Sequence, residues 1–195
     1  MSKTTLVIHL FLSIVLIVGA YQFYFLCQRR PLRPAHQYRS ALDEKIPYWP
    51  VWAWVYSFLY YPAILYLNLL MNSSTEFVLT AANFIALLFM QMAFFWLFPV
   101  ATPTHWRALN RGRSWSEKFL LFVRKFDAES NCMPSMHTSV AMLCALYAYP
   151  HIGPLAWLFP LLIAISCLFT KQHYVVDLPL GALLGWFAYA AFHSF

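Results

Sequence analysis

Two short polar clusters interrupt the apolar C-terminal third of the chain: Pro134-Ser135-Met136-His137 and Lys171-Gln172-His173-Tyr174-Val175-Val176-Asp177. Ionisable side chains near hydrocarbon are costly and mark functional sites. In the first cluster Pro134 fixes the backbone where a helix begins, and Ser135 is a good N-cap. Free backbone N–H groups and the positive end of the helix dipole then point at the opening, an arrangement that favours phosphate. His137 lies one turn inside. Unperturbed imidazole titrates at about 6.5, and an adjacent phosphate would keep it protonated as a general acid. In the second cluster His173 and Asp177 are four apart and share one face if the segment is helical. A carboxylate on one ring nitrogen turns the other outward and favours the imidazolium formed after attack. That suits a nucleophilic histidine or a metal ligand. Pro179 removes the N–H that would pair with Val175, so the regular helix is expected to begin near that residue, with His173 just outside it.

Each cluster alone reads as ordinary structure. Together, with Lys171 and a basic loop beside them, they point to phosphate. Two histidines and one aspartate could hold a divalent ion, but no clear further ligand accompanies them and the nearby cations oppose one. No metal or other cofactor is expected.

The elements that must position these clusters are membrane helices. Of 195 residues, 62% are hydrophobic and 10% charged, against about a quarter charged in a soluble domain. The chain therefore reads as an integral membrane protein with a single domain over 1–195. Its fold class is all-α: a polytopic bundle of six transmembrane helices near 4–26, 51–71, 76–98, 135–149, 155–170 and 175–195. The first run exceeds the about 7–15 residues of a signal-peptide core and is expected to be retained. Arg29, Arg30, Arg33, Arg39 and Lys45 follow it as headgroup contacts, and Tyr48, Trp49, Trp52 and Trp54 mark an interface. Pro62 predicts a kink. Ser73 and Glu76 form a capping pattern, Asn83 and Gln91 should bond between helices, and Ser116 to Phe126 fits a short interfacial helix. No basic stripe with interleaved aromatics suggests nucleic acid. Cys27, Cys132, Cys144 and Cys167 have no paired spacing and read as small core residues.

Six spans place connections 1–2, 3–4 and 5–6 on one side, so both clusters close connections on the same face. Every Lys and Arg except Lys3 falls in these connections. The positive-inside rule would put that face in the cytoplasm.

At these residues the chain resembles the type-2 phosphatidic acid phosphatase (PAP2) superfamily, and looks closest to its inositol phosphorylceramide synthase-like branch. The family's Pro-Ser-Gly-His is matched by Pro134-Ser135-Met136-His137. Of its third motif, Ser166, His173 and Asp177 match in register, with Cys167 where arginine is expected and Lys171 as a substitute charge. The first motif is absent; Phe98 to Arg107 occupies its place. The resemblance implies that His173 attacks phosphorus to give a phosphohistidine, Asp177 holds its ring and His137 protonates the leaving group. Arg107, Ser135, Lys171 and Ser166 would bind the substrate phosphate.

The implied activity is a lipid phosphatase acting on a phosphatidate-like or polyprenyl phosphate. A lipid phosphotransferase moving a phosphorylated head group is the first alternative, and an inactive lipid-binding or transport protein the second. The implied partners are the lipid phosphate and the bilayer, with no nucleic acid and no obligate protein partner. The expected location is a bacterial inner membrane, or an endomembrane in a eukaryote. The resemblance implies a site on the exoplasmic, periplasmic or lumenal side and the charge reading a cytoplasmic one, and the sequence leaves the two open.

Overall fold

The computed structural model describes residues 1–38, 40–127 and 130–193. Arg39 of the basic connection and the last two positions of the expected sixth helix lie outside them. Helix α1 (Lys3–Arg29) is continuous over 27 residues and is capped by the Ser2 hydroxyl, which accepts from the Thr5 amide. At about 1.5 Å per residue it exceeds a hydrocarbon core of about 30 Å. The following connection holds β1 (His36–Gln37) and α2 (Ala41–Lys45).

The second apolar segment is broken. A 3-10 turn at Pro50–Trp52 leads into α3 (Ala53–Phe58), and α4 (Tyr60–Leu70) resumes after Leu59. Pro62 has no N–H for the Phe58 carbonyl and its ring crowds that oxygen, so the discontinuity falls where the proline demands it. Helix α5 (Ser74–Leu97) starts at Ser73, whose hydroxyl accepts from Glu76 N at 3.2 Å. The Asn83 amide donates to the Tyr147 hydroxyl at 2.9 Å. Gln91 donates to the Pro134 carbonyl at 2.6 Å and accepts from the Ser139 hydroxyl at 3.1 Å. Both buried amides of α5 thus bond to neighbouring elements.

Beyond α5 come β2 (Val100–Ala101), α6 (Thr104–Ala108) and the amphipathic α7 (Trp115–Arg124), opened by a capping box between Ser114 and Glu117. Helix α8 (Met136–Ile152) ends at Gly153, whose φ of 59° turns the chain into α9 (Leu158–Phe169). Helix α10 (Asp177–His193) closes the fold. Among the described residues, four stretches are long and apolar enough to cross a membrane: Lys3–Arg29, Pro50–Leu70, Ser74–Leu97 and Met136–Phe169. The last contains both α8 and α9 with the Gly153 turn between them, and α10 has 17 residues.

Two glycines bring α10 against α8. A methyl group at Gly181 would overlap the Ser135 carbonyl and the Thr138 hydroxyl, and one at Gly185 would overlap the Ser139 carbonyl. This small-xxx-small spacing lets the two backbones approach closely. The helix carrying His137 and the helix opened by Asp177 are therefore held together where each begins.

Strands β1 and β2 pair in parallel, His36 with Val100 and Gln37 with Ala101, and Val100 also bridges to Asn131. The Tyr174 hydroxyl donates to the carbonyls of Tyr38 (3.0 Å) and Ala101 (3.1 Å) and accepts from Tyr38 N (3.0 Å). Three loops far apart in sequence meet at this one hydroxyl.

Candidate active site

His173 sits in the turn between α9 and α10 and is 5% exposed. Its Nδ1 lies 2.9 Å from the Cys132 carbonyl and 3.4 Å from Asp177 Oδ2. A carbonyl only accepts, so Nδ1 carries the proton and Nε2 keeps a lone pair. The His137 and His173 rings meet edge to face with centroids 5.7 Å apart. Tyr56 stacks on His137 at 4.2 Å, and Tyr60 leans on it at 5.5 Å.

Asp177 is fully buried. Its Oδ2 accepts from the Tyr174 amide at 2.8 Å and from the Cys132 thiol at 2.8 Å. Burial first, then the Asp177 carboxylate, pushes the Cys132 thiol well above its usual range, so the sulfur keeps the proton that it donates. The Ser135 amide donates to the Asp177 carbonyl at 3.1 Å. The Ser135 hydroxyl caps α8 by accepting from Thr138 N at 3.4 Å. Regular α10 begins at Asp177, two residues after the expected start, because that carboxylate itself closes the turn onto Tyr174 N. His173 lies outside the helix, in the position inferred from Pro179.

The structure thus brings His137, His173, Asp177 and Ser135 together. The other residues named from the sequence are engaged elsewhere. The Ser166 hydroxyl donates back to the Ile163 carbonyl at 2.7 Å. Arg107 pairs with Asp127, through its carbonyl at 3.3 Å and its carboxylate at 3.7 Å. Lys171 donates to the Asp43 carbonyl at 2.5 Å and sits 4.9 Å over the Trp106 ring. Burial, its largest influence, pulls the Lys171 ammonium below its usual range, against the opposing pull of Glu44 and Asp43. Its φ of 55° is left-handed. Lys171 occupies the position after the α9 cap where glycine is usual, with Gln172 N bonding back to the Cys167 carbonyl at 3.0 Å.

Three contributors were not legible as such. Arg124 is buried at the end of α7 and donates to the Thr170 carbonyl at 3.0 Å. With the Gln172 amide turned to satisfy both partners, its oxygen accepts from Arg124 Nε at 2.9 Å and Nη2 at 3.0 Å. A guanidinium therefore braces the loop that carries His173. Cys132, two residues before Pro134, supplies both a carbonyl and a thiol to the His173–Asp177 pair. Asp43 accepts the Val175 amide at 2.7 Å. Cys132 could have been flagged by its position beside the first cluster; nothing in the sequence distinguishes Arg124 from its neighbouring cations.

The sequence model of the PAP2 superfamily matches residues 32–191. The chain belongs to the PAP2 superfamily. No curated protein matches it. The match spans both histidine clusters of this PAP2 protein and the loops that cover them. Membership accords with a membrane protein of phosphatase or phosphotransferase type.

Proposed function

We propose that this PAP2 protein is an integral membrane lipid phosphatase that works through a phosphohistidine. The observation that carries the reading is the His173 ring: Nδ1–H is fixed on the Cys132 carbonyl at 2.9 Å, leaving Nε2 as a lone-pair donor on a ring whose centroid is 5.7 Å from that of His137. In the first step Nε2 forms the bond to phosphorus as the bond to the lipid oxygen breaks, and His137 gives that oxygen its proton. The positive charge that grows on His173 is met by the Asp177 carboxylate. In the second step His137 takes a proton from water as it attacks the phosphohistidine, releasing phosphate.

The opening turn of α8 offers the Met136 and His137 amides to the phosphate oxygens. Arg124 adds positive charge beside the loop. Arg107 and Lys171 serve the phosphate only if they exchange Asp127 and the Asp43 carbonyl for it. The substrate is a phosphatidate-like or polyprenyl phosphate ester, presented at the membrane interface. The six-span topology remains part of this reading: α8, α9 and α10 are its three shorter spans, and the site faces the side on which the Tyr38, Ala101 and Tyr174 loops meet.

Purified protein incubated with lipid carrying labelled phosphate should yield an acid-labile phosphoenzyme and free phosphate. His173→Ala should yield neither. Equal label in wild type and His173→Ala would overturn the reading.

A further inference from the structure

We infer that His137, Cys167 and His173 form a binding site for a soft divalent cation of the zinc class. One ligand atom from each lies within 4.8 Å of the others. Among the described residues, neither ring nitrogen of His137 nor Nε2 of His173 has a hydrogen-bond partner. Cys167 is fully buried at the end of α9, and His137 is partly buried.

The donor set decides the class of ion. Two imidazoles and a thiolate match the tetrahedral N/S preference of Zn2+, at about 2.0–2.1 Å to nitrogen and about 2.3 Å to sulfur. Mg2+ and Ca2+ require oxygen ligands, and no carboxylate belongs to this trio. Three protein ligands leave a fourth position for water or a phosphate oxygen. Ligating histidines in metal sites usually donate their second N–H to a carbonyl or carboxylate. His173 Nδ1 already does so, toward the Cys132 carbonyl and Asp177. Tyr56, stacked at 4.2 Å, holds the His137 ring in place.

A second group, Cys132, His173 and Asp177, also lies within 4.8 Å. Its residues are buried and bonded to one another, with the thiol on Asp177 at 2.8 Å, so it supports the first group rather than competing with it. Binding releases the Cys167 thiol proton to solvent as the sulfur–metal bond forms. Occupancy also ties up Nε2 of His173. If the phosphohistidine reading holds, and this consequence rests on it, the metal-bound state is the inactive one.

The test uses the full chain in detergent, stripped with a chelator and titrated with Co2+ or Zn2+ alone. Wild type should bind one equivalent of Co2+, show a thiolate-to-cobalt charge-transfer band and lose that band to Zn2+. Cys167→Ser and Cys167→Ala should lack the band, and Zn2+ should raise the thermal midpoint of wild type but not of either variant. Cys132→Ser should keep the band. Asp177→Asn should keep it with affinity about 10–100-fold weaker, as for other outer-shell partners. Absence of the band in wild type, its persistence in both Cys167 variants or its loss in Cys132→Ser would overturn the site. These readouts need no turnover. A failed phosphoenzyme assay with an intact band would overturn the catalytic reading alone, and the reverse result the metal site alone.

Discussion

The Cys132 thiol donates to Asp177 Oδ2 at 2.8 Å, closer than the 3.4 Å that separates the same oxygen from His173 Nδ1. The carboxylate is thus shared between a thiol that stays protonated and an imidazole whose proton is already held by the Cys132 carbonyl. Asp177 should matter most when His173 becomes charged. Replacing a triad carboxylate by its amide can cost on the order of 10⁴-fold in turnover, and Asp177→Asn is expected to approach that loss. Cys132→Ala removes one hydrogen bond to a carboxylate, of about 1.5–3 kcal/mol, so the expected effect is roughly 10–150-fold, well short of the Asp177→Asn loss. Single-turnover phosphoenzyme rates check both. An equal loss in the two variants would refute this division of roles.

Gly181→Ala drives a methyl group into the Ser135 carbonyl and the Thr138 hydroxyl. Overpacking costs about 1–3 kcal/mol, and here the obstacle is backbone at the start of α8. A lower thermal midpoint in detergent is expected, together with a fall in turnover. Gly19→Ala, where a methyl group meets nothing within 4 Å and which lies inside α1, is the control. It should leave the midpoint at or above that of wild type, since alanine is favoured over glycine in a helix interior by about 1 kcal/mol.

The Tyr174 hydroxyl joins Tyr38 and Ala101, and its ring packs 5.1 Å from Trp106. Tyr174→Phe keeps the ring and strands these backbone partners, at a cost of about 1–3 kcal/mol. Proteolysis of the loops should accelerate. An unchanged cleavage rate and thermal midpoint would show that the loops are held by other contacts.

Glu44 accepts from Trp106 Nε1 at 2.9 Å and meets His105 Nε2 at 2.9 Å. The Trp106 hydrogen bond, the largest cause, and then His105 hold its carboxyl below the ordinary value of 4.5. A carboxylate with a lowered folded-state pKa contributes stability that is present above the unfolded value and lost as pH falls through the folded one. Wild type should therefore exceed Glu44→Gln in thermal midpoint at neutral pH. That gap should narrow as pH drops below 4.5. A gap that stays constant with pH would rule out the charge as its source.

The apolar helices and the meeting of His137, His173 and Asp177 were legible because spacing along a chain converts directly into faces and ends of helices. The reach of a long cation does not convert in that way. Lys171 stands next to the cluster in sequence, yet its ammonium turns to the Asp43 carbonyl and the Trp106 ring. Arg124, one of several cations in connection 3–4, is the one whose guanidinium is seen on the Thr170–Gln172 loop. The amphipathic α7 was readable from its pattern, but which of its cations faces inward depends on how that helix docks. Cys132 was hidden for another reason: a single cysteine is usually packing, and its thiol gains a role here from Asp177, a residue 45 positions away.

The three-way junction at Tyr174 also bears on how the protein is made. Tyr38 and Ala101 emerge from the ribosome long before the hydroxyl that joins them, and Asp177 follows only three residues behind it. A chain caught before α10 holds neither its covering loops in register nor the His173–Asp177 pair in place. The covering loops and the His173–Asp177 pair are thus completed together, by one short stretch between α9 and α10.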